Sequence, residues 1–87
     1  MKLFGKNKDI SNIITKIEER TGCKVVQHSE RKRDFNDSSL GIQEPGMNYI
    51  QVITPGYVID VKLKCGSNEY KKIYHSNLEG SILKERP

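Results

Sequence analysis

One amphipathic segment limits what this chain can fold into. Isoleucines recur at spacings of three and four, at Ile10, Ile13, Ile14 and Ile17. This spacing puts the four side chains on one stripe of an α-helix. Asp9 can cap the first turn, and Gly22 can end the helix in left-handed geometry. The pattern predicts a helix over 9–21 whose Ile stripe packs on a sheet.

The remainder of the chain has the short periodicities and turn residues of antiparallel strands. Apolar and polar residues alternate over 57–64, which is typical of a half-buried strand. Further strands are predicted at 23–28, continuing as a charged edge strand to 35, and at 48–54, 69–75 and 81–84. Pro55 and Gly56 fit a type II turn between two of these strands.

These segments predict an α+β fold, with one N-terminal helix packed on an antiparallel sheet of four to five strands. The chain has 87 residues, which is the length of one domain. We therefore expect a single domain over 1–87, in which residues 1–8 form a frayed lead-in. No apolar run has the length of a signal peptide or a membrane span. The expected location is cytoplasmic, without membrane contact.

The two cysteines, Cys23 and Cys65, lack the CxxC spacing and the neighbouring His pair of a zinc site. Two partly buried free thiols are the favoured interpretation, and one disulfide between them stays open. We expect no bound metal and no cofactor.

Catalytic motifs are missing from the sequence. There is no Walker A loop, no GxGxxG and no pair of carboxylates in a catalytic pattern. His75 precedes Ser76, but neighbours on a strand point to opposite faces, so the two cannot form a catalytic dyad. A hydrogen bond from His75 that fixes the long loop is the favoured role. The sequence thus predicts no enzyme and no catalytic residue.

Residues 37–57 read DSSLGIQEPGMNYIQVITPGY, and the chain later carries Tyr74, His75 and Ser76 in succession. This pattern resembles an uncharacterised family of small bacterial and archaeal domains with the motif D-[GS]-S-L-G-C-P-x-P-G-x-x-Y-x-Q-x-x-x-P-G-Y. The resemblance implies a helix and a Val-rich strand before the motif, and it implies no established activity. Many such relatives look exported or lipid-anchored and carry a cysteine where this chain has Ile42. That departure fits a version that stays in a reducing cytosol.

The longest loop, residues 36–47, is rich in turn-forming residues. Long ordered loops in compact domains are often functional, and aromatic residues are favoured at interfaces. Our leading hypothesis is a binding module for a protein partner that uses loop 36–47 and a hairpin tip at 54–57. The residues assigned to that surface are Asp37, Ser38, Ser39, Leu40, Met47, Tyr49, Gln51, Tyr57 and His75. Residues 37–39 are predicted to form an Asx or Ser turn, and a nest that binds an anion or a substrate is the functional alternative for them.

The formal net charge of +4 allows a second hypothesis. Basic strand faces with tyrosines can bind single-stranded nucleic acid by charge and stacking. The residues assigned to this alternative are Arg31, Arg33, Lys62, Lys64, Tyr70, Lys72 and Tyr74. A third hypothesis is a small inhibitor that inserts the loop into the cleft of an enzyme.

Overall fold

The computed structural model describes the backbone of residues 4–87 and the side chains from residue 9 onward. Its elements are α1 (Phe4–Thr21), β1 (Lys24–Phe35), β2 (Thr54–Cys65), β3 (Asn68–Asn77) and β4 (Leu83–Glu85). The four strands form one antiparallel sheet in chain order. The predicted α+β class, with one helix on an antiparallel sheet, is confirmed.

The helix packs on one face of this sheet, which we call the helix face. Ile13 and Ile17 of the predicted stripe are fully buried. They lie in one apolar cluster with Ile59, Val61, Leu63, Tyr74 and Leu83. Burying each isoleucine contributes about 1.5–3 kcal/mol. The alternation predicted for β2 puts Ile59, Val61 and Leu63 on one face, and the helix packs on that face.

The helix differs from its prediction at the start and agrees at the end. It begins at Phe4, so Asp9 lies inside it rather than at its cap, and the lead-in predicted for 1–8 is helical from residue 4. Residues 1–3 lie outside the described part. Gly22 has a φ of 70°, and its N–H donates to the carbonyl of Glu18 at 2.8 Å. The predicted glycine stop is confirmed.

Two predictions between β1 and β2 are wrong. Residues 48–53 form no strand, so the loop that joins β1 to β2 runs over 36–53. Pro55 and Gly56 lie within β2, opposite Asp34 and Arg33 of β1, and form no type II turn and no hairpin tip. Gly56 is there because a Cβ would overlap the carbonyl oxygen of Ser76 on β3.

The cysteines form a disulfide between Cys23 and Cys65, so the favoured free thiols are a wrong prediction. The register explains the pairing. Lys24 lies opposite Lys64, and the residues just outside this pair face each other with Cα atoms 4.7 Å apart. That separation is in the usual range for a disulfide, about 4.4–6.8 Å. The bond ties the end of the helix to the end of β2.

Candidate functional site

The long loop, residues 36–53, covers part of the sheet face opposite the helix. Leu40 is fully buried in a second apolar cluster with Phe35 and Val58. Leu40 has a φ of 56°, which is uncommon for a residue with a side chain. The tight turn at this position drives Leu40 into the sheet and makes it an anchor for the loop.

His75 on β3 fixes the same turn from below. Its Nδ1 lies 2.6 Å from the carbonyl oxygen of Leu40, and its ring stacks on Phe35 at 5.3 Å between centroids. A carbonyl oxygen only accepts, so Nδ1 carries the proton and donates. Nε2 then accepts from the guanidinium of Arg86, whose Nη2 is 2.9 Å away. The predicted hydrogen bond from His75 to the loop is confirmed.

This arrangement favours the neutral imidazole. Burial is the main cause that lowers the pKa of His75 below its usual 6.5. The positive charges of Arg86 and Arg33 act in the same direction, and the bond to Leu40 opposes them. A neutral ring is the form that can accept from Arg86, so the structure and the charge state agree.

Side chains at the start of the loop close it locally. The carboxylate of Asp37 accepts from the backbone N–H of Ser39 at 2.9 Å and from its hydroxyl. These hydrogen bonds hold the pKa of Asp37 below its usual 3.8. Ser38 accepts from the N–H of Ile50 at 3.0 Å and so joins the two ends of the loop. The turn predicted for residues 37–39 is confirmed.

Lys84 on β4 holds the middle of the loop. Its Nζ donates to the carbonyl of Ile42 at 2.9 Å and lies 3.3 Å from the hydroxyl of Tyr49. It also lies 4.5 Å from the centre of the Tyr49 ring and 3.5 Å from the carboxylate of Glu44. The hydroxyl of Tyr49 in turn accepts from the N–H of Glu44 at 2.9 Å. The loop is thus fixed by two strands as well as by its own turn.

Apolar side chains nevertheless remain exposed on this fixed loop. We call residues 47–53 the apolar segment. Its exposed fractions are 57% for Met47, 70% for Ile50, 53% for Val52 and 61% for Ile53. Gln51 is also exposed, and Tyr49 is half-buried against Lys84. The segment presents an apolar surface, and the backbone of Ile50 within it is hydrogen-bonded to Ser38.

Residues 10–84 match the family model of the domain of unknown function DUF8738. The chain belongs to this family. The match begins at the Ile stripe and ends in β4, so the DUF8738 unit includes most of the helix, the sheet and the loop. Membership in an uncharacterised family is confirmed, while the motif described over 37–57 stays a prediction. Neither the curated proteins nor the solved structures gave a significant match.

The residues predicted to bind a protein separate into three groups in this DUF8738 domain. Asp37, Ser38, Ser39, Leu40 and His75 anchor the loop, and their polar groups are engaged within the domain. Met47, Tyr49 and Gln51 belong to the apolar segment. Tyr57 packs against the core cluster on the helix face, so it does not join this surface.

Sequence reasoning missed several residues of the site. Ile50, Val52 and Ile53 are predicted to lie in a strand because aliphatic β-branched residues favour strands. Lys84 and Arg86 lie far in sequence from the residues that they contact. Lys84 is 35 residues from Tyr49, and Arg86 is 11 residues from His75. No local pattern signals such long-range anchors.

The residues of the nucleic-acid alternative also separate in this DUF8738 domain. The register places Arg31, Arg33, Lys62 and Lys64 on the face opposite the helix. Tyr70, Lys72 and Tyr74 lie on the helix face, where Tyr74 is buried and Lys72 pairs with Glu85 at 2.7 Å. The lysines and tyrosines of this alternative therefore do not share one face of the sheet.

The remaining chemistry of this DUF8738 domain is sparse. Over residues 9–87, no group of three His, Cys, Asp or Glu side chains lies close enough to hold a metal ion. The one helix that the described residues form is too polar to cross a membrane.

Proposed function

We propose that this DUF8738 domain is a non-enzymatic module that binds a protein through the apolar segment 47–53. One observation carries the proposal. Met47, Ile50, Val52 and Ile53 are each more than half exposed, although the loop that holds them is fixed by His75 and Lys84. A contiguous exposed apolar patch with a polar rim is typical of an interaction surface.

Burial of these side chains supplies the binding energy. Removing apolar surface from water yields about 25 cal/mol per Å², so each half-exposed aliphatic side chain gains about 1 kcal/mol when it is covered. A loop that is already ordered loses less conformational entropy when it binds. The anchors therefore support the interface without touching the partner.

The shape of the segment favours one kind of partner. Residues 48–53 form no helix or strand, and the side chains of Ile50, Val52 and Ile53 protrude into solvent. Such a segment fits an apolar groove on another protein. The inhibitor hypothesis is the special case in which that groove belongs to an enzyme.

A photo-crosslinking amino acid at position 50 tests the proposal in source cells. The matched control places the same group at Ser67, in the exposed turn between β2 and β3. We expect a discrete adduct with one other protein from position 50 and none from position 67. Adducts only between two copies of this chain would contradict a separate partner.

The affinity of the captured partner then decides whether the segment itself binds. We expect Ile50→Ser combined with Ile53→Ser to weaken binding at least tenfold. Val26→Ser is the matched control, because Val26 is an exposed aliphatic residue near the other end of β1. Equal affinity in the loop variant and the wild type would exclude this surface.

A further inference from the structure

The sheet has a second surface that the protein-binding proposal does not use. Beyond the loop, the face opposite the helix is open. The register of β1, β2 and β3 places six cationic residues there, which we call the basic face: Lys24, Arg31, Arg33, Lys62, Lys64 and Lys71. Five of them are exposed, and Lys62 is half-buried.

A β-bulge assembles this face. In a regular strand Lys24 and Arg31 would point to opposite faces, because they are an odd number of residues apart. The register shifts between Val25 and Gln27, so Lys24 lies opposite Lys64 while Arg31 lies opposite Val58. Both partners are on the same face of β2. The extra residue re-aims Lys24, which is a common use of a bulge.

The positive charge of the chain is concentrated here. The only acidic residues that the same register places on this face are Asp60 and Glu69, so six positive charges meet two negative charges. The difference of +4 equals the formal net charge of the whole sequence. The other charges of the chain cancel.

Two pairs on the basic face oppose the stability of the fold. Lys24 lies directly opposite Lys64, and Lys62 lies directly opposite Lys71. Like charges in directly opposed cross-strand positions destabilise a sheet. Glu69 offsets this repulsion only in part, through one exposed ion pair with Lys62 at 3.6 Å. Local rules that a sequence breaks without a folding advantage often mark functional surfaces.

We propose that the basic face binds the phosphodiester backbone of nucleic acid without reading its base sequence. Charge complementarity selects a polyanion. The aromatic residues that the register assigns to this face, Phe35 and His75, are buried beneath the loop and cannot stack on bases. Val58 is buried and Ile73 is half-buried, so these side chains do not protrude for insertion into a bilayer.

A shallow depression in the basic face refines the contact. It has a volume of about 310 Å³, lies between Lys62 and Lys71, and is lined by Gln27 and Ser29. Both polar side chains can donate to phosphate oxygens. Asp60 lines the same depression and repels an anion. Removing the charge of Asp60 should therefore strengthen binding. This gain in affinity tests the location of the site in a way that lysine substitutions alone do not.

Fluorescence anisotropy with a labelled 20-mer of mixed sequence, single-stranded and duplex, measures the affinity. Non-specific binding of this kind has a Kd of about 10⁻⁴–10⁻⁶ M at physiological salt. Four phosphate contacts give a log–log salt slope of about −3 to −4. We expect Lys62→Gln with Lys71→Gln to weaken binding about tenfold and to make the slope shallower by about 2. Asp60→Asn should tighten binding several-fold.

The matched control removes the same charge from the helix face. Lys32→Gln with Lys72→Gln should change the affinity less than threefold, because both residues lie on that face. An equal loss in the two double variants would show that only net charge matters and would overturn the proposal. A flat salt dependence, or binding to anionic phosphatidylserine vesicles but not to the 20-mer, would also overturn it. The melting temperature of each variant shows that it is folded.

Discussion

The Nδ1 atom of His75 lies 2.6 Å from the carbonyl oxygen of Leu40, which joins β3 to a turn 35 residues earlier. The same imidazole ring makes a second hydrogen bond, in which Nε2 accepts from Arg86. One imidazole therefore connects the loop, the sheet and the end of the chain. The shape of the loop depends on a group that can gain a proton.

We expect stability to fall as the pH decreases from about 7 to 5. The folded pKa of His75 is lowered, so in this window the unfolded state binds more protons than the folded state. Protonation of Nε2 also removes the acceptor for Arg86 and places two positive charges together. Urea unfolding at intervals of half a pH unit measures the effect.

Histidine variants separate this effect from other titrations. His75→Gln removes the titrating ring, so its stability should change less between pH 7 and 5. His28→Gln is the matched control, because His28 is an exposed histidine on β1 that bonds neither Leu40 nor Arg86. If His75→Gln keeps the full pH dependence, another group causes it.

Removing Lys84 should lower the free energy of unfolding more than removing Lys72, although Lys72 forms the shorter ion pair. Its side chain is only 13% exposed and donates to the loop, whereas Lys72 pairs with Glu85 at 2.7 Å but is more exposed. Solvent screens exposed pairs. We expect Lys84→Met to cost about 2 kcal/mol, since it leaves the half-buried acceptors of Ile42 and Tyr49 without a charged donor.

Hydrogen exchange locates that loss. Lys84→Met should speed exchange of the loop amides over 36–53, and Lys72→Met should leave them unchanged with a smaller loss of stability. Equal exchange in the two variants would show that Lys84 does not hold the loop.

The agreement between sequence and structure follows the range of each interaction. The Ile stripe of α1 and the alternation of β2 are local patterns, and both predict the correct elements. The turn predicted at Pro55 and Gly56 is wrong because glycine is favoured for two different reasons. It occurs in turns, and it also occurs in strands where a neighbouring backbone comes too close for a Cβ, and the sequence alone does not separate the two. Residues 48–53 misled because β-propensity does not show whether a partner strand exists. Among the anchors, the sequence predicts the turn at 37–39 and the hydrogen bond from His75, whereas Lys84 has no local signal.

The disulfide should stabilise the domain substantially. It closes a loop over a sequence separation of 42 residues, for which the chain-entropy relation gives about 4 kcal/mol. Unfolding in urea with and without a phosphine reductant measures the loss. The double variant Cys23→Ser with Cys65→Ser should be equally destabilised and insensitive to the reductant.

The thiol state in cells bears on the predicted cytoplasmic location. Disulfides persist in oxidising compartments, and reducing compartments keep thiols free. Rapid alkylation of protein from source cells distinguishes the two. Alkylation of both cysteines, seen as an added mass of two alkyl groups, would place the chain in a reducing compartment. No added mass would show that the cysteines are paired and would contradict the cytoplasmic prediction.

Gly56→Ala should be among the most damaging small substitutions in the sheet. A Cβ at this position would overlap the backbone carbonyl of Ser76, and backbone in a paired strand cannot rotate away as a side chain can. We expect a loss of about 3 kcal/mol or more. Gly46→Ala is the matched control, because its φ of 80° is strained for alanine but a Cβ there meets nothing within 4 Å. Left-handed strain alone costs about 1–2 kcal/mol. Equal losses in the two variants would mean that β2 and β3 can separate at this pair, and that Gly56 is not required by the close approach of the strands.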